Sequence, residues 1–281
     1  MEHHRGVATE PLPTLRSRLL GAWDALLVFA EDLPPERLGE LAELGSWPER
    51  PVLARLLAQA PGDAPGAEPE RRDHRADGRA ALLAALVEAR SRTAGALDEV
   101  AARPELALAS ADSALGPLPL LTQVHAMGHE LALAAIRCGS GGSGGSEPLP
   151  VPEAVAGAGV AAMVDVVGAL ACRQGLRVAA GVWGGGSGDW SFRADPDGWK
   201  TFPGRADVPA VEGAAATVLG IPTGRGAVPA LLARGELKLH RIGGLMALAP
   251  LVEQVPGLPG GALLRRAVGM VGLLGRLPGM R

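Results

Sequence analysis

Leu15, Leu19, Ala22, Leu26 and Ala30 recur at helical spacing, predicting a helix over about residues 13–32 that stops before Pro34-Pro35. A shorter helical segment follows to about Leu44. Another begins after Trp47-Pro48 and runs from Val52 to Gln59. Residues 61–75 are polar and aperiodic and read as a loop. A long helix is expected over about 77–103, and then comes the longest clearly helical apolar run, Pro119 to Ile136. Antiparallel packing of four such segments is the natural way to bury their apolar stripes.

Past Gly139-Ser-Gly-Gly-Ser-Gly-Gly-Ser146, a flexible linker by composition, the texture changes. Pro152 opens a very apolar helix to about Arg173. Strands are expected at 176–183, 190–193 and 199–202, separated by Gly-rich and Asp-Pro-Asp-Gly turns. A small-residue helix at about 208–219, a strand at 236–241 and helices near 244–254 and 261–275 complete the pattern. The fold class is α+β, with a helical domain over 10–148 and an α+β domain over 149–281.

Composition narrows the function. Of 281 residues, 47% are hydrophobic and 20% charged, as in folded globular proteins. A net charge of −3, with no basic block interleaved with aromatics, argues against a nucleic-acid partner. No apolar stretch is expected to reach the roughly 18–20 residues, rich in large side chains, that a membrane span needs. The first residues do not resemble a secretory signal, so the expected location is the cytoplasm. Two cysteines, Cys138 and Cys172, suggest plain thiols and no structural disulfide. Lysine occurs only at Lys200 and Lys238, the other basic residues being arginine.

Within the Pro119–Ile136 run, His125 and His129 stand one helical turn apart and continue the row of Leu121, Ala132 and Ile136. Both imidazoles should face a packed interior. Imidazole is the commonest metal ligand and titrates in the physiological range, so the pair suggests a metal or proton-transfer site, or two satisfied core histidines. Glu130 lies about 100° round the helix from His129 and should face elsewhere. His74 belongs to the polar loop, His3 and His4 to the terminal tail, and His240 to an exposed strand position. Trp183, Trp190 and Trp199 either line an apolar pocket or form core. Arg225 is placed to fork onto a substrate carboxylate, or is a solvated turn residue. The basic amphipathic segment 262–281 should dock on the protein's own sheet or on a second subunit in self-association, with an anionic membrane surface as the third option.

Together, His125 with His129-Glu-Leu-Ala132, and Val211–Arg225 followed by Ala233–Leu239, resemble the mycothiol-dependent maleylpyruvate isomerase family. Asp189-Trp-Ser-Phe192 and the turn Asp195–Gly198 fit the same resemblance. It implies a DinB-like antiparallel four-helix bundle joined to a sterol-carrier-like α+β domain. It also implies a zinc-type divalent metal that holds the thiolate of mycothiol for addition to, and release from, a conjugated double bond. The implied metal ligands are His125, His129 and Gln59. Here Gln59 stands where that family has a histidine, and His125 stands where it has a carboxylate. Arg225 would orient the substrate carboxylate. The expectation is a metal-assisted, thiol-dependent isomerase or transferase acting on a small unsaturated acid. The alternative is a non-catalytic protein on the same scaffold, binding a small or apolar ligand, with a degenerate metal site.

Overall fold

The computed structural model describes residue 6 and residues 10–45, 78–111, 113, 115–139, 149–221, 228–248 and 250–251. The chain divides into two compact units: residues 10–159, and residues 160–281 with the first nine. The expected segment ending at Gln59, the loop at 61–75, most of the Gly/Ser linker and the segment 262–281 lie outside the described residues.

The unit formed by 10–159 is helical. Helix α1 (Leu12–Asp32) carries Pro13 in its first turn, where a missing N–H costs nothing, and it ends as the chain turns extended at Leu33 before Pro34. It buries Leu15, Leu19, Ala22, Leu26 and Ala30, the row the periodicity marks out, together with Leu20 and Trp23. Helix α2 (Arg79–Ala102) runs antiparallel to it, as two ion pairs show: Arg16 with Asp98 at 3.1 Å and Arg90 with Asp24 at 2.9 Å. Both pairs are solvent-exposed and contribute about 0.2–1 kcal/mol each, so they mark register more than they hold the unit together. Helix α3 (Leu120–Gly139) inserts Met127 beside Trp23, whose indole N–H donates to the Met127 sulfur at 3.1 Å.

Helix α4 (Glu153–Arg173) is shared along the chain by the two units. It is long and apolar enough to cross a membrane by length and composition, and 94% of its most apolar window is buried within the protein. Its apolarity comes from small Ala, Gly and Val side chains, which allow close packing where a lipid-facing helix would carry large ones.

The other unit is a mixed five-stranded sheet with helices. Strands β1 (Val178–Trp183), β2 (Asp189–Asp195) and β3 (Gly198–Pro203) form an antiparallel meander. The β2–β3 turn is held by Asp195, whose carboxylate accepts the N–H groups of Asp197 at 2.9 Å and Gly198 at 3.1 Å. Strand β4 (Ala210–Glu212) lies parallel to β1, and β5 (Lys238–His240) pairs antiparallel with β4. The strand order is β3-β2-β1-β4-β5.

One expected element changes. The helix expected at 208–219 is instead strand β4 followed by a short helix, α5 (Ala215–Gly220). Ala210 and Val211 are buried between two strands, and ladder pairing on both sides outweighs the weak helical preference of a small-residue run. Of the helix expected near 244–254, the described residues show α7 (Ile242–Leu245), a 3₁₀ turn at Met246–Leu248 and helical backbone at 250–251, preceded in the chain by α6 (Val228–Ala233); residues 249 and 252–254 lie outside the described residues.

One face of the sheet is apolar. Trp190, Phe192, Ala194 and Trp199 are buried there, and the part of α4 within this unit packs on it. Asp165 of α4 is fully buried and accepts two hydrogen bonds on one carboxylate oxygen, from Trp199 Nε1 and Thr201 Oγ1, both at 2.9 Å. A Cβ at Gly168 would stand 2.8 Å from the Trp199 ring, so glycine at that position permits this approach.

Candidate functional site

In the helical unit, α3 buries both His125 and His129, with 1% and 8% of their surface exposed. The expectation that both rings face the interior therefore holds. Between them, Gly128 lets α3 approach α4 backbone to backbone: a Cβ there would lie 2.8 Å from the Ala158 carbonyl oxygen.

Two residues not singled out in the sequence complete the surroundings. Arg18 of α1 forks onto Glu10, with N–O distances of 2.8 and 2.7 Å, and its Nη2 lies 3.5 Å from His125 Nε2. That separation is the outer limit of a hydrogen bond. A guanidinium can only donate, so Nε2 of His125 is the acceptor and Nδ1 carries the proton in the neutral ring. The sequence did hold a signal for Arg18. It falls three residues after Leu15 and four before Ala22, at the edge of the apolar stripe of α1.

His129 differs from its neighbour. Burial pushes its pKa down to about 4, so the ring is neutral at neutral pH. Its Nε2 is buried and has no hydrogen-bond partner among the described residues. A neutral imidazole with an uncommitted nitrogen can accept a proton or hydrogen bond, or ligate a metal.

A metal can be tested against these donors. Zinc takes three or four nitrogen, sulfur or oxygen ligands. Among the described residues, no group of three His, Cys, Asp or Glu side chains could hold such an ion. Glu10, the carboxylate on this cluster, is engaged by Arg18, and that guanidinium opposes a dication at His125 Nε2. The described donors do not by themselves fit a divalent metal. His129 Nε2 is the one atom of the pair suited to ligation. Gln59, the expected third ligand, and Arg225, the expected carboxylate contact, lie outside the described residues, as does His74.

In the sheet unit, Trp190 and Trp199 are core, at 4% and 6% exposure, while Trp183 is half-buried and lines a cleft. His240 stands on strand β5, as expected, and is part-exposed. Its Nε2 lies 2.7 Å from Glu212 Oε2 and its ring centroid 4.6 Å from that of Trp183.

No protein-family model matches the chain, and no curated protein matches it. Among solved structures it is similar to the crystal structure of a histidine-to-alanine mutant of the mycothiol-dependent maleylpyruvate isomerase. The identity is 13% and the TM-score 0.47, over 79% of this chain and 92% of that one. The likeness concerns the course of the chain and carries nothing about the chemistry of either site.

Proposed function

We propose that this chain is a small-ligand-binding protein in which the His125–His129 pair recognises its ligand by hydrogen bonding and does not hold a catalytic metal. The observation that carries this reading is the Arg18 guanidinium beside His125 Nε2. It places a fixed positive charge where a metalloenzyme would need electron density directed at a cation. The ligand best matched to the surroundings is mostly apolar and bears one hydrogen-bond donor for His129 Nε2, since Val124, Met127 and Leu131 are the buried neighbours on the same helix.

A second reading is supported by His129 itself. A neutral, buried imidazole with an uncommitted nitrogen is also what a metal-assisted, thiol-dependent isomerase or transferase of a small unsaturated acid requires. In that reading His129 Nε2 is the principal ligand, and His125 and Gln59 are the further ligands that the family resemblance implies. The bound metal would supply an activated thiolate, that of mycothiol or a similar thiol, and Arg225 would orient the substrate carboxylate.

Zinc titration of untagged protein by calorimetry, in the wild type and His129→Ala, separates the two readings. The binding reading expects equally negligible zinc uptake in both, together with saturable binding of phenol, an apolar ring with one O–H, that is lost in His129→Ala. Stoichiometric zinc binding abolished by His129→Ala would overturn it in favour of the enzyme.

A further inference from the structure

On the face of the sheet opposite α4, register aligns one row of side chains across four strands. Asp189 is opposite Trp183, Trp183 opposite Glu212, and Glu212 opposite Lys238. Two residues along the strands, Ser191, Gly181, Ala210 and His240 form the next row on the same face. Gly181 leaves room for the Trp183 ring: a Cβ there would lie 3.1 Å from Trp183 Nε1.

Arg205, from the loop after β3, lies across this row. Its Cζ is 5.4 Å from the Trp183 ring centroid, its Nε donates to Asp189 Oδ2 at 3.0 Å, and its Nη1 donates to Glu212 Oε1 at 3.0 Å. Glu212 also accepts from His240, and these two hydrogen bonds, His240 first and then Arg205, hold its carboxyl below the usual range. The second oxygen of Asp189 accepts the Gly185 N–H at 2.8 Å, and Glu236 is paired with Arg234. Every carboxylate around the row is thus already matched by donors. Two donor groups are left over. Arg205 Nη2 and the exposed Lys238 ammonium have no hydrogen-bond or ion-pair partner among the described residues, and both line a cleft of about 310 Å³ with Trp183, Gly184, Glu212 and Glu236.

We propose that this cleft binds the carboxylate of a small organic acid, bridged between Arg205 Nη2 and Lys238 Nζ. The volume lies at the lower end of the range for small-molecule sites, roughly 300–1,000 Å³. Arg205 is pinned on three sides, so its remaining donors are held in place and little side-chain entropy is lost when an anion docks. The carboxylates Asp189, Glu212 and Glu236 offset the cations Arg205, Arg234 and Lys238, and Lys238 also acts on Glu212 through space, so an anion would be held by directed donors rather than by a net positive field. The site lies wholly within the sheet unit and does not depend on the histidine pair of the helical unit.

The scarcity of lysine makes a direct test available. Reductive ¹³C-methylation keeps the ammonium charge and labels Lys200 and Lys238, with Lys200 on β3 as internal control. Titration of the full chain with succinate should shift the Lys238 methyl resonance saturably and leave Lys200 unmoved, while the neutral diamide succinamide shifts neither. Arg205→Gln should weaken binding about tenfold or more, the effect of losing a hydrogen bond to a charged group. By calorimetry, Lys238→Gln, an exposed substitution that leaves the packed face untouched, should lose as much, and Lys200→Gln nothing. Equal, non-saturating shifts at both lysines, no shift at Lys238, or undiminished affinity in either variant would overturn the proposal.

Discussion

His129 in the helical unit and Asp165 in the sheet unit are both buried, yet His129 Nε2 and Asp165 Oδ1 are provided for in opposite ways. Asp165 accepts from an indole and a hydroxyl at 2.9 Å each, and those bonds tie α4 to β3. His129 has a buried nitrogen with no partner among the described residues, and burial alone moves its pKa to about 4. A buried polar group matched by donors is a structural anchor. One left unmatched is a liability in the folded state unless a ligand completes it. By this criterion Asp165 belongs to the architecture and His129 to the candidate site. The exposed row around Arg205 is a third case, in which matched carboxylates leave donor N–H groups over.

The comparison can be broken at its strongest point first. Asp165→Ala strands two buried donors, each costing about 1–3 kcal/mol, so a loss of about 4 kcal/mol is expected in chemical denaturation. Asp165→Asn, which keeps an acceptor oxygen, should lose clearly less. Equal losses in the two variants would show that the side chain's volume matters there and its hydrogen bonds do not.

The next effect is on pH. The folded pKa of His129 lies below its unfolded value of about 6.5, so the unfolded chain takes up the proton first as pH falls. The folded state keeps its full stability above about pH 6.5 and loses it progressively towards pH 4, by about 3 kcal/mol in all. Unfolding free energies measured across this window should show that loss in the wild type, with its His129 share absent in His129→Leu. An identical pH profile in the variant would mean that His129 is not held neutral.

The smallest expected effect concerns the close approach beside the histidines. Gly128→Ala puts a methyl group 2.8 Å from the Ala158 carbonyl oxygen and should cost about 2 kcal/mol through forced separation of α3 and α4. A variant as stable as the wild type would show that these helices can move apart freely, and the buried state of His129 would then need no tight packing around it.

Much of the local structure could be read directly from the residues. The rows Leu15–Leu19–Ala22–Leu26–Ala30 and Leu121–His125–His129–Ala132–Ile136 mark buried faces because an amphipathic helix has a fixed period, whatever it packs against. The meander of β1, β2 and β3 could be read too, because its Asp195-Pro-Asp-Gly198 turn encodes the reversal locally through an Asp side chain and a glycine. Strand β4 could not. Ala210-Val-Glu212 carries no strong preference of its own and becomes a strand only because β1 and β5 offer partners on both edges.

The candidate sites divide in the same way. The spacing of His125 and His129 determined that both rings point inward, since four residues make one helical turn. Nothing in that spacing could place Arg18 and Glu10 beside them, 107 and 115 positions away in the chain. Nor could it assemble Asp189, Trp183, Glu212, Lys238 and Arg205 into one cleft, because register between distant strands is settled by which faces can be buried together. Periodicity dictates the direction a side chain takes from its own backbone. Its neighbours, and with them its charge and its chemistry, follow only when the separate elements pack.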